Sequence, residues 1–343
     1  MYMNSLNIKD IARLCGVGVS TVSRAINNHP DVNAETKAKI IKIIEQNNYI
    51  PNNSARNLKR NNSKTIAVLV KGITNPFFSP LIKTIEKEIN RKNYSMLMHQ
   101  IDSSADEVDS AVELIKEKKL QGIIIVGGKF THNTEKLCRI NVPFVLTTSV
   151  AENADLNSYS SICIDDYKES YKAVDYLCRL GHKKIAIITA KEDESIGKYR
   201  LNGYLNALKD HDIPINKNLI KYMHKHIDEY SLENGKVCAD ELLSSGEDFT
   251  AIFAISDNLA IGVCKSIIDH GKSIPQDYSV LGFDGIDLTS YFNPTITTIK
   301  QPVVEIGLES TKVLFDQIEN KCGAVHKIYD GQLIVGGSCR RLL

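Results

Sequence analysis

Side chains suited to reading nucleic acid crowd into one short stretch, Ser20, Thr21, Ser23 and Arg24, just behind Gly16-Val17-Gly18. An arginine spans O6 and N7 of guanine with two N–H groups, whereas serine and threonine hydroxyls suit phosphate oxygens, which position a protein without specifying sequence. Val19 and Ser20 open the same segment, where a helix entering the major groove brings side chains to base edges. Helix capping is the alternative for Thr21, with equal claim. A second set, Phe77-Phe78, Thr148, Arg200, Ser256-Asp257 and Asp284, is scattered along the chain. An aromatic platform with one arginine and one aspartate suits a polyhydroxylated ligand such as a sugar, through stacking and charge-assisted hydrogen bonds. Phe77 also fits a core position, and Asp257 a helix cap.

The first set needs a helix to carry it. Ile8, Ile11, Ala12 and Cys15 fall at i, i+3, i+4 and i+7, one apolar stripe of a short helix that Asn7 can cap. Gly16-Val17-Gly18 breaks it, and a second helix starts near Val19, with Val22 and Ile26 facing back. The pattern fits a helix-turn-helix, and equally any small helical hairpin. Asn33 can cap a third helix running to about Asn47, with Ile40, Ile41 and Ile44 inward. Residues 51–63 are polar and asparagine-rich, a linker by composition. Within it, 55–59 is long enough for one or two helical turns, marginal in water.

The second set needs a sheet. Apolar runs at 65–70, 94–99, 122–126, 143–147, 184–189, 251–255 and 278–283 alternate with amphipathic helices at 77–91, 106–119, 167–180, 198–209, 230–243 and 258–271. Strict alternation predicts an α/β fold with parallel sheets covered on both faces. The run is too long for one unit, so two similar lobes are expected. Ligands of such sheets sit beyond the carboxyl ends of strands, where Phe77, Phe78, Thr148, Ser256 and Asp284 all fall.

Net charge is +1 over 343 residues, but it is unevenly distributed. Residues 1–60 hold nine basic against four acidic side chains, a net of +5, leaving −4 elsewhere. A basic head on a mildly acidic body suits a head that meets phosphate. The eight cysteines lie far apart without zinc spacing, as expected for reduced thiols in a cytoplasmic protein. MYMNSLNIKD lacks the form of a signal peptide, and no run approaches eighteen apolar residues, so no membrane role is expected. No catalytic constellation, cofactor cradle or metal site emerges. Gly16-Val17-Gly18 follows a helix instead of a strand, His182 has no matching nucleophile, and His224 and His226 read as surface.

Residues 7–60 resemble the amino-terminal domain of the lactose-repressor/galactose-repressor (LacI/GalR) family of bacterial transcription regulators. The matches are Ile8, Asp10, Ala12, Gly16-Val17, Thr21-Val22-Ser23-Arg24, Asn27, Tyr49, Pro51-Asn52, Ala55-Arg56 and Leu58. The likeness continues into a periplasmic-binding-protein-like (type I) core at Asn75-Pro76-Phe77-Phe78, Asp165-Asp166, Gly181-His182, Arg200, Gly203-Tyr204, Asp257, Gly282-Phe283-Asp284, Thr297-Thr298 and Gln301-Pro302. It implies a three-helix DNA-binding head (1–50), a hinge (51–63) and an effector-binding, dimerising core (64–343). The lobes would comprise 64–162 with 292–321, and 163–291 with 322–343. It adds Asn7, Asn27, Tyr49, Asn52, Ala55, Arg56 and Leu58 to the DNA-binding residues, Leu58 as a wedge in the minor groove. It makes Phe77, Phe78, Thr148, Arg200, Ser256 and Asp284 the effector residues. The implied protein is a repressor acting as a homodimer on double-stranded operator DNA under a small-molecule effector, a sugar by family habit. Alternatives are control by a partner phosphocarrier protein, or a solute-binding module without a DNA role. Three departures bear on this: Gly18 stands where the family usually has serine, Thr148 where many members have aspartate, and Ser256 where several have asparagine.

Overall fold

The computed structural model describes residues 6–26, 29–47, 49, 64–102, 104–128, 131–191 and 195–342. The chain divides into two compact units, residues 1–63 and 64–343.

In the first unit, α1 (Ile8–Cys15), α2 (Val19–Ile26) and α3 (Ala34–Gln46) enclose Ile11, Ala12, Cys15, Val22, Ala25 and Ile40. Asn7 Oδ1 accepts from the Lys9 and Asp10 amides, and the Asp10 carboxylate accepts the Asn7 N–H in return, so both ends of a capping box are in place. Gly16 stops α1 with φ +67, a left-handed conformation that side chains disfavour. One expectation needs correction. Ile41 is exposed, and Ile43 and Ile44 join Ile40 at the core. Spacing of i, i+3, i+4 keeps three side chains on one face, whereas Ile41 sits about 100° around the helix from Ile40.

The second unit holds two six-stranded sheets. The first combines β1 (Thr65–Lys71), β2 (Ser95–Ile101), β3 (Gly122–Val126), β4 (Phe144–Thr147), β5 (Ser160–Ile164) and, from far along the chain, β11 (His326–Tyr329). Its order is β11-β5-β4-β3-β1-β2, parallel throughout. The second combines β6 (Ile185–Thr189), β7 (Ile220–Tyr222), β8 (Ala251–Ala254), β9 (Ser279–Asp284), β10 (Thr297–Lys300) and β12 (Gln332–Ile334). Its order is β12-β10-β9-β8-β6-β7, parallel except where β12 runs against β10. The shared order is that of a doubly wound lobe built twice. Strands such as β3 and β6 are buried along their whole length, because helices cover both faces. Those helices are α4 (Phe78–Arg91), α5 (Glu107–Glu117), α6 (Thr134–Leu137), α7 (Asp166–Arg179), α8 (Ser195–Asp210), α9 (Leu232–Ser244), α10 (Asp257–Asp269), α11 (Leu288–Tyr291) and α12 (Val303–Asn320). Among the described residues, no helix is long and apolar enough to cross a membrane.

The chain passes between sheets three times, first at Asp165, where β5 gives way to α7. The other two passages differ from expectation. The second lies at Gln301-Pro302, not at 291–295, because β10 completes the second sheet beside β9 before α12 returns to pack on α4. The third lies at Asp330-Gly331, not at 321–324, because β11 pairs with β5. The first lobe therefore gains 322–329 and loses 292–300.

Candidate functional site

On the head, α2 carries Val19, Ser20 and Arg24 exposed and Thr21 and Ser23 half-buried. The Arg24 Nη1 donates to Asp31 Oδ2 at 2.9 Å. The Asn7 side-chain oxygen is committed to its cap. Tyr49 packs half-buried against the head core and its N–H donates to the Ile44 carbonyl, a role that closes the domain. Asn27, Asn52, Ala55, Arg56 and Leu58 lie outside the described residues.

In the second unit, five of the six expected effector residues converge on one cavity of about 120 Å³ between the lobes: Phe77, Phe78, Thr148, Arg200 and Asp284. The first lobe supplies the Phe77-Phe78 pair at the start of α4, ring centroids 5.1 Å apart in an edge-on arrangement. Thr148 follows β4, where its hydroxyl accepts the Gly127 N–H at 3.3 Å. The second lobe supplies Arg200 from α8 and Asp284 from the end of β9. Contacts that bridge the lobes include Thr74 Oγ1, which donates to Asp228 Oδ2, and Lys198 Nζ, which meets Glu152 Oε2, each at 3.3 Å.

Arg200 is the centre of charge. Its Nε donates to Asp166 Oδ1 at 2.7 Å, Nη1 donates to the Ile255 carbonyl and lies 3.7 Å from Asp284 Oδ1, and the guanidinium stacks 3.8 Å above the Phe283 ring. Asp284 also accepts from Gln301 Nε2 at 2.9 Å. Burial pushes the Asp284 carboxyl up to about 6, held from going higher by Arg200, Gln301 and Asn75. Burial likewise raises Asp166 against the pull of Arg200. Thr148 (φ +70), Tyr230 (φ +57) and Asp284 (φ +111) line this cavity with backbones in a region that non-glycine residues seldom adopt. Such conformations persist only where surrounding structure enforces them, and they gather at binding sites.

Ser256 is the exception among the expected residues. Buried at the amino end of α10, its hydroxyl accepts the Leu259 N–H at 3.3 Å, so it caps a helix and does not line the cavity. Asp257 is the first residue of that helix, not its cap. Its carboxylate accepts from Thr298 Oγ1 and the Ile286 N–H, tying β10 and the turn after β9 to α10. The cavity also takes in residues that pattern did not single out as ligand contacts: Lys71, Asn75, Gln301 and the 228–230 loop. Asn75 and Gln301 stood within matched motifs. Lys71 closed an apolar strand, and 228–230 ran into an expected helix, so neither carried a signal.

Three other features hold no comparable set. A cavity of about 460 Å³ at the amino end of the second sheet, floored by Tyr204, Leu208 and Leu219, contains none of these residues. Asp106, Glu107 and His132 bring possible metal-ligating atoms within 4.8 Å of one another, but Lys136 and Lys71 already pair with the two carboxylates. His182 is buried between Thr250 Oγ1 and the Arg340 carbonyl, and burial lowers its pKa, as for a structural imidazole.

Comparison with known proteins agrees with both units. Residues 7–52 match the family described as bacterial regulatory proteins, lacI family, and residues 63–330 that described as periplasmic binding proteins and sugar binding domain of LacI family. The chain is 44% identical over 337 residues to the HTH-type transcriptional regulator MalR of Clostridium butyricum, covering 97% of this chain and 99% of that one. It is 32% identical to the HTH-type transcriptional repressor CytR of Escherichia coli K12, covering 98% and 96%. The lac repressor dimer bound to operator and an anti-inducer superposes with a TM-score of 0.77 at 22% identity, covering 98% and 100%, a likeness of fold.

Proposed function

The chain belongs to the LacI family of DNA-binding transcriptional regulators, and we propose that it is a repressor whose operator affinity is set by a carbohydrate bound between its lobes. The observation that carries this reading is the Arg200–Asp284 pair on one wall of a cavity with Phe77 and Phe78 on the other. Charged donor and acceptor side by side recognise neighbouring hydroxyls, and the rings take the apolar face of a sugar. At about 30 Å³ per water the cavity has room for roughly four, so a whole sugar ring needs it to widen. A longer ligand needs the lobes to part at Thr74–Asp228 and Lys198–Glu152.

Control follows from linkage. A ligand that prefers one arrangement of the lobes shifts the core toward it, and if operator binding prefers the other, the two affinities are coupled. One short recognition helix reads too few bases for useful specificity, so we assign the DNA-bound form as a homodimer on a near-palindromic site, the state in which the lac repressor was solved on operator. Val19, Ser20 and Arg24 would meet bases, with Thr21 and Ser23 on phosphates. We retain Leu58 as an apolar wedge between base steps, its unstacking cost offset by contact along the bent duplex. Leu58→Ala should then weaken operator binding about tenfold or more, measured by fluorescence anisotropy, with effector affinity unchanged; equal operator affinity in the two proteins removes the wedge.

The effector is tested by thermal denaturation against a panel of monosaccharides, disaccharides and nucleosides. A ligand at a hundred times its Kd stabilises by about 2.7 kcal/mol, roughly 5 °C for a core of this size. The same compound should change operator affinity. A panel in which only nucleosides shift the melting temperature would overturn the carbohydrate assignment.

A further inference from the structure

We propose that Asp31 sets the base specificity of the head by fixing the guanidinium of Arg24. The turn after α2 brings the two together: the His29 N–H donates to the Arg24 carbonyl at 3.0 Å, and Asn33 anchors the far side as the cap of α3. Asp31 Oδ2 then accepts from Arg24 Nη1 at 2.9 Å, while Oδ1 lies 2.7 Å from His29 Nδ1. The carboxylate is thus held from both sides.

Three physical points make this a device for recognition. An exposed ion pair contributes little to stability, and both side chains here are exposed, so folding alone does not call for Asp31. A negative charge beside the recognition helix also opposes phosphate, so it costs affinity on every sequence. What it supplies is geometry. Nη1 lies on the Cδ side of the guanidinium, so engaging it leaves Nε and Nη2, two parallel donors on one planar edge, free for O6 and N7 of guanine. An unheld arginine has several rotatable bonds to immobilise on docking and can swing to a phosphate oxygen instead. Asp31 removes part of that freedom and makes the phosphate the poorer partner. It is a positioning residue, acting on DNA through Arg24.

The test is selection from a pool of synthetic duplexes, randomised across both half-sites, by the full-length protein and its Asp31→Ala, Asp31→Asn, Arg24→Ala and Arg24→Ala/Asp31→Ala variants. The wild type should select a consensus containing a guanine that Arg24→Ala no longer prefers. In Asp31→Ala, discrimination at that guanine should fall about tenfold, within the worth of one bidentate contact, with preferences elsewhere intact and affinity for an unselected duplex raised. Asp31→Asn, which keeps an acceptor without the charge, should fall between, and the double variant should select as Arg24→Ala does. If Asp31→Ala weakens all sequences equally, Asp31 merely holds the turn and the proposal fails; an unchanged profile also ends it. The inference rests on placing α2 in the major groove. A wild type that selects no consensus would refute that placement and this inference together, whereas a consensus indifferent to Asp31 refutes only the latter.

Discussion

Arg200→Met is expected to abolish the response to effector and to lower the melting temperature of the core by roughly 5–9 °C, while the unliganded protein keeps its operator affinity. Both effects trace to one guanidinium. Arg200 is almost wholly buried, with Asp166 at 2.7 Å and Asp284 at 3.7 Å. Removing one partner from a buried charge group leaves the others uncompensated, at a cost of about 3–5 kcal/mol. Methionine keeps most of the stem's volume, so the loss reads on charge more than on packing. The effector loses the one arginine that lines the cavity among the described residues, and affinity should fall at least a hundredfold, roughly the worth of one or two charge-assisted hydrogen bonds. Denaturation scans and anisotropy with and without ligand separate the two effects. A companion Asp166→Asn change should recover several degrees by removing an orphaned carboxylate, but no effector response. A variant that melts like wild type, or still answers the ligand, would show that Arg200 neither organises the charges nor holds the guest.

The contrast between what pattern revealed and what it missed follows from burial. β3 and β6 are apolar from end to end, since parallel strands between two helical layers meet no water. β10 begins Thr297-Thr298, whose hydroxyls accept the Gly336 N–H and donate to Asp257 respectively, so a strand buried over its first three residues reads as polar. β11 sits at a sheet edge with His326, Lys327 and Ile328 exposed and carries no alternation. Those strands and α12 fall outside the expected alternation, which places the passages between lobes too early in the chain. The cavity was more legible than the edges, because its residues sit at strand ends that alternation locates. Ser256 stood at such an end, yet the first turn of α10 had prior need of its hydroxyl. The nearer charged partner of Arg200 was the opposite case. Asp166 opens α7 two residues beyond β5, a strand outside the expected alternation, so no expected strand end marked its position.

Asp284→Asn should separate stability from function in the other direction. In the folded protein burial raises this carboxyl from 3.8 to about 6, whereas in the unfolded chain it titrates near its ordinary value. Between those pH values the folded state holds a proton that the unfolded state has released, so stability from this group is full below about pH 4 and lost as pH climbs through 6. A shift of that size corresponds to about 3 kcal/mol against the folded state at pH 7.5. The asparagine cannot ionise and its side-chain oxygen still accepts from Gln301, so the variant should melt roughly 5 °C above wild type at pH 7.5. The two curves should converge by pH 4. Removing the charge also relieves Asp257, whose carboxyl is raised first by its own burial and then by Asp284. Effector binding should suffer about tenfold or more, because a neutral amide is the weaker acceptor beside Arg200. In the wild type, affinity for the same ligand should decline as pH falls below 6 and the carboxylate is neutralised. A gain in stability bought with lost response is what a charge retained for binding predicts. Measured at pH 4, 5.5 and 7.5, an Asp284→Asn protein that is less stable than wild type at the highest pH would mean that Arg200 outweighs burial, and that this carboxylate holds the fold together instead of straining it.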